Sequence, residues 1–383
     1  MRTSRLSWFG GCALLPLALM VVMIAGCGPA EAPRPAQVET EPAEDTADEP
    51  PPGVDPEAPR ADEEAAAALP VIPLGLPDLP IPEDNPMTPE KVELGRLLYF
   101  DTRVSSDGTI SCATCHDPQM AWTEHRPTSE GITGPDGHPQ VGGRNSPTII
   151  NAAYAPNQFW DGRAATLEEQ AVGPVGNPIE MGSSMDTVIL AFNEIEGYRE
   201  RFQQVFGTDV TEDGFAKAIA AFERTILSGN SPYDQYKAGD EDALTDAQKR
   251  GMAAFDDYCA VCHAPPLFSN FQFHNAGVGA DLPEPDPGRM DVTGEERDRG
   301  RMRVPALREI AKTHPYFHNG SVETLEEAVA FMAKGGQDNP NLSIQMRALQ
   351  GRVSEEEVAD LVEFLKALSG EFPVIDPPDE FPQ

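Results

Sequence analysis

The chain has little basic charge. Lys and Arg number 28 against 63 Asp and Glu in 383 residues, a formal net charge of −35 at pH 7. That sign disfavours nucleic acid, whose phosphates call for Lys and Arg. Long hydrophobic runs are missing too. The best candidate, residues 14–24, is interrupted by Pro16 and falls short of the roughly 18–20 apolar residues that a membrane span needs. No series of alternating apolar and polar segments announces a set of strands. Cysteine (6) and histidine (7) are scarce, so the places where they meet are informative.

Two of the cysteines belong to the N-terminus. Residues 1–27 read as a signal peptide: Arg2 and Arg5, the interrupted apolar run, then Ile24-Ala25-Gly26-Cys27. The tetrapeptide looks like a bacterial lipobox. It makes Cys27 the lipidated first residue of the mature protein, and Cys12 leaves with the peptide. Gly28, rather than Asp, after that cysteine points to an outer membrane. An uncleaved anchor is the rival, and the shortness of the apolar run opposes it. Residues 28–70 are mostly Pro, Ala, Glu and Asp with few large apolar side chains. Such a segment cannot bury enough surface to offset its ordering entropy, and reads as an extended, self-repelling tether. An acidic interaction tail is the alternative.

The other four cysteines fall into Cys112-Ala-Thr-Cys115-His116 and Cys259-Ala-Val-Cys262-His263. Each is the attachment signature of a c-type haem. The two thiols bond the two vinyl groups of one porphyrin, and the following histidine is aimed at the iron. A zinc ribbon wants its knuckles about 15–20 residues apart, whereas these stand in opposite halves of the chain. A dithiol redox site explains neither the repetition nor the histidines. Two haems are expected, attached outside the inner membrane.

The folded remainder suits two domains: residues 71–230 around the first motif and 231–371 around the second, with 372–383 as a tail. Thr88-Pro89 opens a helix to Phe100 with Leu94, Leu97 and Leu98 on one face. Capping boxes are expected at Thr166, Thr245 and Ser354, and residues 215–227 have helical spacing. The predicted fold is all-α: two cytochrome c-like domains packed together and joined by long Gly/Pro loops.

Further motifs give these domains a family. Gly143-Arg144-Asn145-Ser146-Pro147-Thr148, Phe159-Trp160-Asp161-Gly162-Arg163-Ala164 and Asn177-Pro178-Ile179-Glu180-Met181 surround the first haem motif. Val304-Pro305-Ala306-Leu307-Arg308 and Pro315-Tyr316-Phe317-His318-Asn319-Gly320 follow the second. Together they resemble the bacterial di-haem cytochrome c peroxidases, a family that also includes the di-haem enzyme maturing the methylamine dehydrogenase cofactor. The resemblance covers about residues 88–369.

It implies that the N-terminal haem, with His116 proximal, binds peroxide, and that the C-terminal haem, with His263 proximal, receives electrons. Glu180 matches the distal acid/base of the family, although on its own it would read as a solvated acid. Trp160 matches the tryptophan between the haems; an isolated tryptophan would read as core, as Trp122 does. Met332 occupies the place of the sixth ligand of the second haem, where the cofactor-maturing relative has tyrosine. Thioether ligation raises the potential, and gap-filling core is the rival role. His274 and His318 are then structural histidines. The family also holds a calcium ion, for which Asn145, Thr313 and Pro315 occupy the matching positions; oxygen donors suit that cation.

One departure stands out. Many members carry, before the Arg-Asn-Ser-Pro run, a histidine that caps the peroxidatic iron at rest. Here Ile132 occupies its place, with His125 before it and His138 beyond it. Either the first haem is open at rest, or His138 is a displaced, releasable cap. A histidine in an exposed loop is more often solvated.

The implied activity is reduction of hydrogen peroxide to water by a periplasmic, lipid-anchored peroxidase. The electrons come from a small cytochrome c or cupredoxin, a basic carrier that an acidic face would steer. A homodimer is compatible with it. Oxidation of a protein or organic substrate is one alternative, opposed by Met332. A non-catalytic di-haem electron carrier is the other, and it leaves Glu180 without a use.

Overall fold

The computed structural model describes residues 70–383; the expected signal peptide, Cys27 and all but the end of the tether lie outside them. Thr88 caps α1 (Pro89–Phe100), its side chain accepting from the Lys91 N–H. Pro89 fits the first turn because that position has no intrahelical N–H bond to lose. The single turn α2 (Cys112–Cys115) carries the first haem motif. After it come α3 (Leu167–Gly176), α4 (Met185–Asn193), α5 (Glu196–Phe206) and α6 (Glu212–Glu223). The second half contains α7 (Pro232–Lys237), α8 (Asp246–Tyr258), which runs directly into Cys259, and α9 (Met290–Thr293). It ends with α10 (Leu325–Ala333), α11 (Ile344–Leu349) and α12 (Glu355–Lys366). Strand structure is confined to two short antiparallel pairs, β1 (Glu130–Thr133) with β2 (Pro139–Val141) and β3 (Phe273–His274) with β4 (Met302–Arg303). The fold is mostly helical, as expected.

Local expectations hold with two corrections. Reciprocal capping boxes form at Thr245 and Ser354. At Thr166 only half a box exists: its side chain accepts from the Glu169 N–H, but the Glu169 carboxylate turns to the N–H of Ala165 at 2.6 Å. The helix expected over 215–227 begins at Glu212, under a Thr211 cap, and stops at Glu223. Ile226 and Leu227 are buried in the turn that follows, where the Ile226 carbonyl accepts from the Asn151 N–H. Burial in a turn produced the same apolar spacing as a helix.

The two halves repeat one arrangement. In the first, α1 crosses α6 so closely that a Cβ on Gly95 would stand 2.0 Å from the Ala218 carbonyl oxygen. In the second, α8 crosses α12 with Gly251 at the contact, where a Cβ would stand 1.9 Å from the Asp360 carbonyl oxygen. In each pair the glycine-bearing helix precedes its Cys-x-x-Cys-His segment. Leu98, Tyr99, Trp122, Phe192, Tyr198 and Phe222 belong to the first core. Phe255, Phe268, Phe364 and Leu368 belong to the second.

Several ties make the described residues one unit. Arg144 forks onto Asp286 at 2.7 and 2.8 Å. The buried Glu309 accepts from Ser228 and from the Gly370 N–H. Residues 371–383 turn back over the first half: Phe372, Ile375 and Phe381 pack on its core, and Trp122 Nε1 donates to the Pro373 carbonyl at 2.8 Å. No helix among the described residues is long and apolar enough to cross a membrane.

Candidate haem sites

Both Cys-x-x-Cys-His segments line one cavity of about 440 Å³ to which both halves contribute. Its wall is largely apolar, with Ile149, Ile150, Leu167 and Ala171 on the first side and Met346, Leu349, Leu361 and Leu365 on the second. Burial pushes the Cys115 and Cys259 thiols up to about 12, and raises Cys112 and Cys262 as well. A dithiol redox site needs the opposite, a stabilised thiolate. Among the described residues no cluster of three or more His, Cys, Asp or Glu is placed to hold a metal ion by itself, which disposes of the zinc knuckle.

The histidines suit a porphyrin iron. Burial lowers both His116 and His263 to about 4, keeping the imidazoles neutral. His263 Nδ1 lies 2.9 Å from the Phe268 carbonyl, which fixes the tautomer and leaves the Nε2 lone pair for a metal. Buried polar atoms with no protein partner remain at the cavity residues His116 (Nδ1), His274 (Nε2) and Glu223 (Oε2). An apolar slot with thiols, a neutral imidazole at each motif and unsatisfied polar atoms fits a covalently attached haem in each half.

Glu180 lines the first part of this cavity together with Phe159, Arg163, Gln170, Pro174 and Met181. Its position is built by the backbone. Its carbonyl accepts from the Ile132 N–H at 2.9 Å, its own N–H donates to the Asn177 carbonyl, and Asn177 Nδ2 donates to its carboxylate at 2.9 Å. Gly131 permits this contact, since a Cβ there would stand 1.9 Å from the Ile179 carbonyl oxygen. Burial raises the Glu180 carboxyl above its ordinary value, and the Arg163 charge and the Asn177 hydrogen bond pull it back.

Trp160 lines the cavity as well. Its Nε1–H donates to the Asn145 carbonyl at 2.9 Å, its carbonyl accepts from the Arg303 N–H, and His318 meets its ring edge-on at 6.4 Å. Met332, on α10, is in the wall of the second part, as is His274. His318 is buried and stands 4.0 Å from Asp286. Asn145, Thr313 and Pro315 all line the cavity too, but Asn145 Nδ2 is occupied by the Arg126 carbonyl. Trp122 is core, packed against Tyr99 and Phe222.

His138 is exposed in the turn between β1 and β2 and does not line the cavity. Ile132 packs on the first core beside Gly182. His125 stacks on His314 at 4.2 Å, away from the iron sites' wall. Sequence reasoning missed Gln170, Glu223 and Arg303, all cavity residues. Helical spacing from Leu167 and Ala171 gave a signal for Gln170; the other two needed the tertiary packing.

Fold and site define a two-haem c-type cytochrome. Residues 89–242 match the model of the di-haem cytochrome c peroxidase family, and residues 248–369 match that of cytochrome c. The chain is 41% identical to cytochrome c peroxidase Ccp of Escherichia coli over 77% of its own length and 61% of that protein. It is 40% identical to cytochrome c551 peroxidase of Nitrosomonas europaea, over 78% and 85% of the two chains. Methylamine utilization protein MauG of Methylorubrum extorquens is 38% identical over 76% and 82%. A solved MauG-like protein associated with microbial copper homeostasis superposes with a TM-score of 0.67 at 34% identity, covering 78% of this chain and 95% of that one. The chain belongs to the di-haem cytochrome c peroxidase family, whose members are peroxidase-type oxidoreductases, and with it come two c-type haems.

Proposed function

We propose that this protein reduces hydrogen peroxide to two waters, taking two electrons from a small cytochrome c or cupredoxin and two protons from solvent. When bound, the haems supply the redox chemistry. His263 and Met332 would hold the haem that receives electrons, His116 the haem that delivers them to peroxide, and Trp160 would serve the path from one to the other. Cys112 and Cys115 hold the first haem and Cys259 and Cys262 the second. Met332 would offer its thioether to the second haem, and such ligation would favour the reduced state.

The observation that carries this reading is Glu180 in the wall of the first part of the cavity, its carboxylate accepting from Asn177 and its backbone carbonyl from the Ile132 N–H. There it takes a proton from the bound peroxide and returns it to the departing oxygen, so the O–O bond breaks without a free hydroxide leaving. Asn177 and the β1–β2 hairpin orient that carboxylate, and the apolar wall limits competing water. The exposure of His138 supports a distal side that is open at rest, with Ile132 in the place of the cap. Calcium at Asn145, Thr313 and Pro315, a periplasmic location and a lipid anchor at Cys27 complete the proposal.

Optical and electron paramagnetic resonance spectra of the haem-loaded protein test it. A high-spin first haem in the oxidised state, changing at once on addition of peroxide, is expected. Two low-spin haems, one becoming high-spin only after half-reduction, would put His138 back on the iron. Low-spin haems inert to peroxide in both states would leave an electron carrier.

A further inference from the structure

Glu223 has no part in the mechanism above, yet it is a carboxyl at 4% exposure in the wall of the first haem cavity, and its Oε2 has no hydrogen-bond partner. It ends α6, in the helix pair that supports the first haem motif. Its sequence neighbour Arg224 turns away to Glu168, 2.8 Å from Oε1, and Glu168 is also held by Asn85 at 2.7 Å. The nearest cation is therefore committed to another acid. The other groups facing Glu223 are Tyr99 from α1 and Cys112 from α2. Glu168 on α3 adds a like charge. A carboxylate buried without a counter-ion costs several kcal/mol and is normally removed by protonation or substitution. Packing alone would be served as well by glutamine.

We propose that Glu223 is a redox-tuning acid of the N-terminal haem, taking up a proton when the iron held by His116 takes up an electron. The step balances: one electron from the external donor converts iron(III) to iron(II), and one proton from solvent converts the Glu223 carboxylate to the carboxylic acid. The physical reason is charge. In a desolvated wall an added electron and a carboxylate repel, so each favours the state of the other that removes a negative charge. Burial, opposed by Arg224 and assisted by Glu168, already pushes this carboxyl up to about 8, so its titration lies in an accessible range. The inference needs only the two haems, not peroxide turnover, and survives or fails separately from the peroxidase reading.

The test is a spectroelectrochemical titration of the haem-loaded wild type and Glu223→Gln at pH 6 and pH 9. In the wild type the first haem should become harder to reduce as pH rises. In Glu223→Gln that part of the dependence should vanish. At pH 9 and a fixed applied potential, its ratio of reduced to oxidised haem should exceed that of the wild type by on the order of ten-fold, the effect of a unit charge about 10 Å away at an effective dielectric of about 20. Equal ratios in the two proteins at both pH values overturn the proposal, whatever the effect on melting temperature. Should Glu223→Gln fail to load haem, Glu223→Asp must keep the pH dependence. Proton uptake counted with an indicator as the wild-type first haem is reduced must then be non-zero; no uptake overturns the proposal too.

Discussion

Glu180 must be ionised to accept a proton, and two opposed effects set when that happens. Burial raises its carboxyl while Arg163 and Asn177 lower it. The activity should therefore fall as pH drops through a value above that of an ordinary glutamate. Arg163→Gln should move this acid limb of kcat/KM further up, because it removes the cation and leaves the burial. Glu180→Gln should lose about 10² to 10⁴ in peroxide turnover with haem content and spectra unchanged; a smaller loss would place the proton transfer elsewhere. Glu180 was legible in the sequence only through its motif, since nothing in Asn177-Pro178-Ile179-Glu180-Met181 by itself says that the carboxyl faces a cavity. Glu223 was not legible at all. A glutamate ending an amphipathic helix reads as solvated, and it takes the tertiary packing of α1, α2 and α3 around the end of α6 to bury it.

At the scale of elements, the helix pairs explain why both haem motifs sit where they do. Each pair meets at a glycine whose missing Cβ lets one helix backbone touch the other. Gly251→Ala should force α8 and α12 apart, costing about 1–3 kcal/mol of stability, and thermal unfolding of the holoprotein would show it. Gly95→Ala should do the same between α1 and α6. The helices themselves were readable from Thr88-Pro89, Thr245 and Ser354, because caps are local chemistry. The β1–β2 hairpin was not, although it carries Ile132 and so holds Glu180 by its backbone. Its strands are too short, and too rich in glycine and polar residues, to show alternation. The departure at Ile132 was visible as a substitution, but its inward packing beside Gly182 is a tertiary fact.

At the scale of the molecule, buried polar ties rather than one continuous core join the halves. Arg308 reaches from the second half to the first by donating to the Gly75 carbonyl, and within the second half it forks onto Asp234 at 2.7 and 2.8 Å with both side chains almost wholly buried. Burial raises the Asp234 carboxyl, but the Arg308 fork and Ser231 outweigh it and hold it below the usual range. Its contribution to stability is therefore present above the ordinary carboxylate pKa and is lost as pH falls through the depressed folded value. Arg308→Met should cost about 3–5 kcal/mol near neutral pH by leaving a buried charge alone, with a smaller loss in acid; denaturant melts at two pH values check this. Composition hinted at none of these ties, since the charge excess says nothing of which acids are buried.

The return of residues 371–383 over the first half has a consequence for biogenesis. Phe372, Ile375 and Phe381 belong to the packing of the N-terminal core, and Trp122 finds its acceptor at Pro373. Synthesis runs from the N-terminus, so Cys112 and His116 exist before the residues that complete this packing. Until residues 371–383 are made, the first core lacks part of its cover and Trp122 lacks its acceptor.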